Sequence, residues 1–380
     1  MWRLPWGKQA GVVLLFMRVL VTGSAGLIGS EAVEFFSEMG FAVTGIDNNM
    51  RQDFFGPQGD TTWNRDRLSA RYPKYTHHSL DIRDREAVDA LFAQLRPELI
   101  IHAAAQPSHD LAASRPFDDF DVNAGGTLAL LEAARAHTPE AVFIYMSTNK
   151  VYGDNPNRLP LVELETRYDY TPGETPMGLS ELGITEEMSL DNCLHSLFGV
   201  SKAAADLMVQ EYGRYFGLKT GVFRGGCLTG PHHSGVELHG FLSYLVHQAV
   251  TEGPYTMIGY GGKQVRDQIH SHDVISAFWA FAQNPRPGEA YNLGGGKANA
   301  ASNLECVELI ANRCGRRPTL SFNDEARIGD HICYYTDMSK FRAHFPDWKQ
   351  KYSLGEIVDE MVDAAIARLD TMPDSAAPSC

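Results

Sequence analysis

Apolar and polar positions alternate in blocks through residues 19–146, and the blocks have two periods. Val19-Leu20-Val21 is continuously apolar and runs into a glycine-rich turn. After the turn, Ala32, Val33, Phe35 and Phe36 recur at helical spacing. Strand-like runs follow at 41–46, which ends on Asp47, and at 75–80. Helical periodicity returns at 86–95. Residues 99–105 then form an apolar strand whose last three residues, Ala103, Ala104 and Ala105, are small enough to let a ligand approach. A helix from 121 to about 136 and a strand at 141–146 complete this half. Strands buried on both faces appear as unbroken apolar runs, and strand–helix alternation without hairpin signals specifies a parallel sheet. The predicted fold class is α/β, a doubly wound parallel sheet of the Rossmann type.

The second half is more broken. Residues 48–73 are polar and predict a loop over one end of the sheet. Residues 154–197 combine prolines, glycines and acids with little periodicity, and predict a long excursion, partly helical at 179–188. An excursion of that length usually covers a site. A helix is expected at 198–215, a strand at 219–223, and helices with short strands across 227–262 and 297–365. The aromatic run Phe278, Trp279, Phe281 predicts a core helix. Asn292-Leu293-Gly294-Gly295-Gly296 predicts a turn leaving the sheet. The expected organisation is a leader or upstream extension at 1–16, a dinucleotide-binding unit at 17–226, and a smaller mixed lobe at 227–370. Within that lobe, 264–296 returns to the first unit, and a disordered tail occupies 371–380.

Charge narrows the ligand. With 33 basic and 47 acidic residues the formal charge is −14, which argues against nucleic acid, whose footprint is basic. A few local arginines can still hold a phosphate. Six scattered cysteines, none in Cys-x-x-Cys spacing, suit a reduced, cytoplasmic chain. The apolar stretch near the amino terminus is too short to span a membrane, so no membrane role is expected. His270-Ser271-His272-Asp273 and His232-His233 invite a metal reading, but no metal is expected.

The turn itself is Gly23-Ser24-Ala25-Gly26-Leu27-Ile28-Gly29. Gly23 allows the tight turn, Gly26 lets the backbone approach an anion, and Gly29 lets the helix lie close on the sheet. The helix start, with the free N–H groups of Leu27 and Ile28, attracts a pyrophosphate. Asp47, at the end of the second strand, suits the adenosine ribose hydroxyls. It would repel a 2′-phosphate, so NAD is preferred over NADP even though Arg51 lies nearby.

These motifs join Asp47-Asn48, Asp81-Ile82, Ala103-Ala104-Ala105, Asp121-Val122-Asn123-x-x-Gly126-Thr127, Ser147-Thr148, Lys202, residues 262–267 and Arg327-x-Gly329-Asp330. Together they resemble the extended short-chain dehydrogenase/reductase superfamily, the nucleotide-sugar epimerases and dehydratases, over residues 17–367. Residues 147–154 and 163–168 look most like its CDP-paratose (CDP-tyvelose) 2-epimerase branch. The resemblance implies tightly held NAD, transient oxidation of a nucleotide-diphosphate sugar (CDP-linked in that branch) to a keto-sugar, and re-reduction on the opposite face. It also implies a homodimer built on the helix holding residue 198 and its neighbour. Cofactor contacts are implied at Gly23, Ala25, Gly26, Leu27, Ile28, Asp47, Asn48, Arg51, Asp81, Ile82, Ala103, Ala104, Ala105, Asn123 and Lys202. Substrate contacts are implied at Ser108, Asn149, Lys150, Cys227, Arg266 and Arg327, the two arginines as diphosphate clamps.

Thr148 is expected to hydrogen-bond the reacting hydroxyl. Related dehydratases carry acids just after this Ser/Thr, whereas this chain has Asn149 and Lys150. Dehydration needs an acid–base pair there, so epimerisation is favoured. The family's Tyr-x-x-x-Lys is here Phe198-x-x-x-Lys202, and Phe has no oxygen to accept a proton. His195, Cys193, His109 and Cys227 are the candidate substitutes, with His109 preferred. A nucleotide-sugar reductase or decarboxylase, and a binding protein that lost turnover with the tyrosine, remain open alternatives.

Overall fold

The computed structural model describes residues 17–233, 235–236, 240–326 and 329–371. The expected leader at 1–16 and residues 372–380 of the expected tail lie outside the described residues.

The chain opens as β1 (Arg18–Thr22), α1 (Leu27–Glu38), β2 (Ala42–Ile46), α2 (Met50–Phe55), α3 (Thr62–Arg71), β3 (Tyr75–His78), α4 (Arg85–Leu95) and β4 (Leu99–His102). Next come α5 (His109–Ser114), α6 (Pro116–Phe120), α7 (Gly126–His137) and β5 (Val142–Thr148). Four short strands follow, β6 (Leu161–Glu163), β7 (Tyr168–Tyr170), β8 (Leu179–Ser180) and β9 (Gly183–Ile184). Then come α8 (Ser196–Phe216), β10 (Lys219–Gly225), β11 (Cys227–Thr229), α9 (Phe241–Val250), β12 (Pro254–Ile258), β13 (Val265–His270), α10 (Ser271–Gln283) and β14 (Glu289–Leu293). The rest is β15 (Ala300–Ser302), α11 (Asn303–Cys314), β16 (Thr319–Asn323), β17 (Cys333–Tyr334), α12 (Ser339–His344) and α13 (Leu354–Thr371).

Seven strands make one sheet in the order β14-β10-β5-β4-β1-β2-β3, every pair parallel. The chain starts at β1, moves outward to β3, then crosses to β4 and continues the other way. Strand order therefore reverses between β1 and β4, and such a switch point opens a crevice beyond the strand ends. One face of the sheet is packed by Phe36, Phe278, Phe281 and Phe341, the other by Phe92, Leu130, Leu131 and Val209. A third core joins α9, α11 and α13 through Leu245, Ile310 and Met361. A fourth lies under the excursion, around Tyr152, Tyr334 and Tyr335. β13 pairs β11, β15 and β17 in a small second sheet, while α10 and β14 return to the large one.

Three local expectations need correction. Residues 48–73 are mostly helix, not loop. α3 reads as polar because it buries only Leu68 and Asn64, and the Asn64 amide donates to the Ala25 carbonyl at 2.9 Å. Residues 179–188 are not helical. They form the β8–β9 hairpin, since Gly178 and Gly183 take φ of +88° and +130° and a Cβ on Gly183 would overlap the Tyr335 carbonyl. The helix expected from 121 starts earlier: α6 and a π-turn over Asp121–Gly125 run straight into α7. Among the described residues no helix is long and apolar enough to cross a membrane.

Candidate active site

A cavity of about 490 Å³ lies over the strand ends at the switch point. Its floor is the β1 turn. Gly23 has φ +68°, and a Cβ there would stand 2.8 Å from the Ala104 nitrogen. A Cβ on Gly29 would overlap the Gly23 carbonyl. Side chains at either position would push the α1 N-terminus off the strand ends. Gly26 is the N-cap and provides no side-chain cap, so the first N–H groups of α1 stay available to an anion.

At one end, the Asp47 carboxylate accepts from the Ala25 N–H at 3.0 Å and the Asn49 N–H at 2.8 Å. Both are backbone donors, which fixes the carboxylate orientation. Arg51 lies with its guanidinium 4.7 Å from the Phe55 ring centroid. Burial brings its pKa down to about 10, opposed by the Asp47 charge. Asp81 grips Arg83 through both oxygens. Ile82 beside it lies where Gly126 leaves room, since a Cβ at 126 would meet Ile82 Cδ1 at 2.5 Å. Leu27, Ile28, Asn48, Ala103, Ala104 and Ala105 also line the cavity.

Three expected contacts are off its wall. Asn123 is buried and holds the 103–109 segment in place. Its amide oxygen accepts from Gln106 N–H at 2.9 Å, and its nitrogen donates to the Gln106 carbonyl and to Ser201 Oγ. Ser108 is spent as the N-cap of α5, accepting from the Leu111 N–H at 3.4 Å. Ala25 faces a small adjoining recess shared with Asp47 and Asn48.

The other end holds the candidate chemistry. Thr148 closes β5 and accepts from the Lys150 N–H at 3.2 Å. Asn149 lies beside it, buried. Lys150 Nζ donates to the Gly329 carbonyl at 2.9 Å and faces Asp330 at 3.4 Å. Burial holds this lysine below the usual range, opposed by Asp330. Lys202, one turn along α8 from Phe198, is 4 % exposed. Its Nζ donates to the Met146 carbonyl at 2.8 Å and lies 4.3 Å from the Tyr145 ring centroid. Burial pulls its pKa down to about 7 against the opposing charges of Asp206 and Asp119. The Phe198 ring packs 4.9 Å from that of His109, and both line the cavity.

Cys227 lines the wall opposite, its thiol pushed up to about 11 by burial. His195 and Cys193, the other two candidate substitutes, are not on the wall. The His195 ring is 2.9 Å from the Val151 carbonyl, and Cys193 packs behind it. Arg266 lines the cavity on β13, between Gln264 and Gln268 on the same strand face. Asp267 points the other way, accepting from the N–H groups of Gly296 and Thr336 at 3.0 Å each. Arg327 lies outside the described residues; Asp330, three positions on, lines the cavity.

Some of the site was invisible to sequence reasoning. The far wall is Phe241, Leu242, Ser243 and Tyr244 at the start of α9, with Tyr255, Thr256, Ile258 and Asn303. Along the chain these look like ordinary core positions, and only the fold brings them together. Behind Lys202 lies a buried ion pair, Arg224 with Asp206 at 2.9 Å, tied to Ser147 Oγ at 2.7 Å and the Tyr152 hydroxyl at 3.0 Å. No spacing signal marks this pair. Among the described residues no group of three or more His, Cys, Asp or Glu is placed to hold a metal ion. The His270 ring stacks on Tyr352 at 4.0 Å, and His272 faces Glu31 at 3.5 Å.

Known proteins are similar to this chain in sequence and in fold. The chain is 33 % identical over 354 residues to CDP-paratose 2-epimerase of Salmonella typhi, covering 91 % of this chain and 98 % of that one. It is 27 % identical to dTDP-glucose 4,6-dehydratase of Haemophilus influenzae, covering 89 % of each. UDP-glucose 4-epimerase of Thermus thermophilus, solved as a complex with NAD, superposes with a TM-score of 0.73 at 26 % identity, over 92 % of this chain and 99 % of that one. Residues 19–294, from the first strand through the last strand of the large sheet, match the NAD dependent epimerase/dehydratase family. With the glycine turn, the strand-end acid and the seven-stranded parallel sheet all in place, the chain belongs to that family.

Proposed function

We propose that the protein is an NAD-dependent epimerase of a nucleotide-diphosphate-linked sugar, with a CDP-linked sugar the first candidate. The observation that carries this reading is the continuous cavity running from the Gly23–Gly29 turn past Thr148 to Arg266. Its lining carries a dinucleotide cradle at one end and Arg266 at the other. The turn is a cradle that side chains would fill, and Asp47 is already oriented for ribose hydroxyls. The residues present fit NAD.

NAD, when bound, supplies a two-electron acceptor at its nicotinamide. Gly23, Gly26 and the α1 N-terminus hold its pyrophosphate, Asp47 its adenosine ribose, and Lys202 its nicotinamide ribose. Thr148 hydrogen-bonds the reacting hydroxyl, which a hydroxyl side chain can do as donor or acceptor. Arg266 forks the sugar-nucleotide phosphates, with Arg327 as its expected partner. Asn149 and Lys150 stand where dehydration would need an acid–base pair, and neither supplies a carboxylate, so epimerisation is favoured over dehydration. A non-catalytic nucleotide-sugar binder is the second reading, favoured by Phe198 alone.

Residues 17–226 would serve the cofactor and 227–370 mainly the substrate. A homodimer is supported by apolar side chains exposed along α7 and α8: Leu128, Leu197, Val200, Leu207 and Phe216. Cytoplasmic residence is supported by five described cysteines that are all free thiols. Native mass spectrometry of the purified protein tests the core of the proposal. Bound NAD, with or without a nucleotide sugar, is expected, and absence of any NAD(H) affinity would refute it.

A further inference from the structure

The helix that carries Phe198 begins in a strained conformation. Ser196, its first residue, has φ +60°, a conformation unfavourable to a non-glycine residue that persists only where neighbours enforce it. Here the Ser196 hydroxyl has two partners. It accepts from the Gly199 N–H at 3.3 Å and lies 2.9 Å from His109 Nδ1. Gly329, at φ +82°, packs beside both: a Cβ there would stand 3.8 Å from His109 Nδ1 and from Ser196 Cβ. Three segments distant in sequence thus converge to hold one imidazole against the Phe198 ring.

We propose that His109, oriented by Ser196, exchanges the proton of the reacting sugar hydroxyl, the task that the Phe198 side chain has no oxygen to perform. This rests on the epimerase reading above. A serine hydroxyl has one proton and two acceptor positions. The Gly199 N–H takes one acceptor position, and in the proposed state the other receives a proton from His109 Nδ1. The lone pair then resides on Nε2, the nitrogen that acts. In the oxidative half the hydroxyl O–H bond breaks and its proton goes to Nε2. The hydrogen on the same carbon leaves with its electron pair to the nicotinamide dinucleotide, which is the oxidant, and the C–O bond becomes a carbonyl. In the return half the carbon regains a hydride on its opposite face, and the oxygen regains the proton from Nε2. Among the described residues, the titratable groups near the imidazole include Asp110 on its own helix, Lys150 and Asp330 at the Gly329 segment, and His331, which burial holds well below its usual range. Lys202, a further basic group on the wall, already donates to the Met146 carbonyl from over the Tyr145 ring, which suits it to hold ribose.

The test combines a tautomer measurement with variants. In [15N]histidine-labelled holoprotein, with His109→Gln used to assign the resonance, the neutral His109 ring is expected to carry its proton on Nδ1. A proton on Nε2 at neutral pH overturns the proposal. With CDP-glucose, UDP-glucose and dTDP-glucose as probes, His109→Gln should lose about 10²- to 10⁴-fold in epimerisation while keeping bound NAD and probe affinity. Adding Phe198→Tyr should restore part of the rate. Unchanged turnover in His109→Gln overturns it. Ser196→Gly keeps the proposal falsifiable if the histidine variant folds poorly. Glycine suits a positive φ, so a merely structural serine predicts equal or higher thermal stability and unchanged rate. An orienting serine predicts equal or higher stability with roughly tenfold lower kcat and a mixed His109 tautomer. If the wild type turns over none of the probes, the epimerase reading fails for them, and the position of the His109 proton still decides the inference.

Discussion

Replacing Lys202 by methionine should make the nucleotide-free protein more stable at neutral pH while weakening its hold on NAD. The side chain is buried beneath the cavity, and its pKa falls from 10.5 to about 7, chiefly through burial. At about 1.4 kcal/mol per pH unit, the folded state disfavours the charged form by about 5 kcal/mol. The sign follows from proton counts. Between pH 7 and 10.5 the unfolded chain binds a proton that the folded chain does not, so stability falls as pH falls through that window and levels off below it. Methionine fills similar space without the charge. It forfeits the bond to the Met146 carbonyl and the contact with Tyr145, together about 1–3 kcal/mol. The net gain is about 2–4 kcal/mol at about pH 7. At about pH 9.5 the ionisation penalty has shrunk to about 1 kcal/mol and the gain vanishes or reverses. Urea denaturation of both proteins, stripped of nucleotide, at the two pH values measures this, because all other ionisations cancel in the difference. A methionine variant less stable than wild type at the lower pH, or a gap that does not narrow at the higher one, refutes the reasoning. NAD titration should show the variant binding more weakly.

Other outcomes follow from single contacts. Gly29→Ala should abolish NAD retention and lower Tm, because its Cβ meets the Gly23 backbone carbonyl, which has nowhere to go; a variant purified with full NAD would contradict the turn geometry. Arg266→Ala should weaken CDP or UDP binding about 10- to 100-fold, the range for a lost hydrogen bond to a charged group, with NAD affinity unchanged; calorimetric titration distinguishes the two. Arg224→Leu leaves Asp206 buried without its cation and should destabilise the protein by about 3–5 kcal/mol, read by chemical denaturation. Leu207→Glu on the exposed face of α8 should leave a monomer in sedimentation if that face is a dimer interface.

The sheet was legible in the sequence because parallel central strands are apolar on both faces, as in Leu99-Ile100-Ile101, and no periodicity competes with that signal. Helix α3 was not, because a helix lying over the glycine-turn end of the crevice needs little apolar surface. Its fixed point is an amide, Asn64, which a sequence pattern counts as polar. The β8–β9 hairpin reads as helix for a related reason: apolar Leu179 and Leu182 are three apart, a helical spacing, and only the positive φ of Gly183 rules it out. At the site, the glycine turn, Asp47 and the Thr148 strand end are legible because each reaches the cavity from a short local stretch of chain. Asn123, in the 121–127 stretch that the resemblance also singles out, braces Gln106 rather than lining the cavity, a distinction that sequence position does not carry. The α9 wall and the Arg224–Asp206 pair exist only through contacts across the fold.

Helix α13 gives the chain an unusual order of completion. Its Ile357, Val358, Met361 and Val362 bury the back of α9, whose first turn forms the far side of the cavity. Its Arg368 bonds the Pro231 carbonyl and lies over Trp63 of α3, 5.3 Å from the ring centroid. A wall built from residues near 241 thus waits for support made more than a hundred residues later. During synthesis the glycine turn can form while the ribosome is still at work, but the far wall of the cavity gains its backing only when α13 packs on α9 and reaches Trp63.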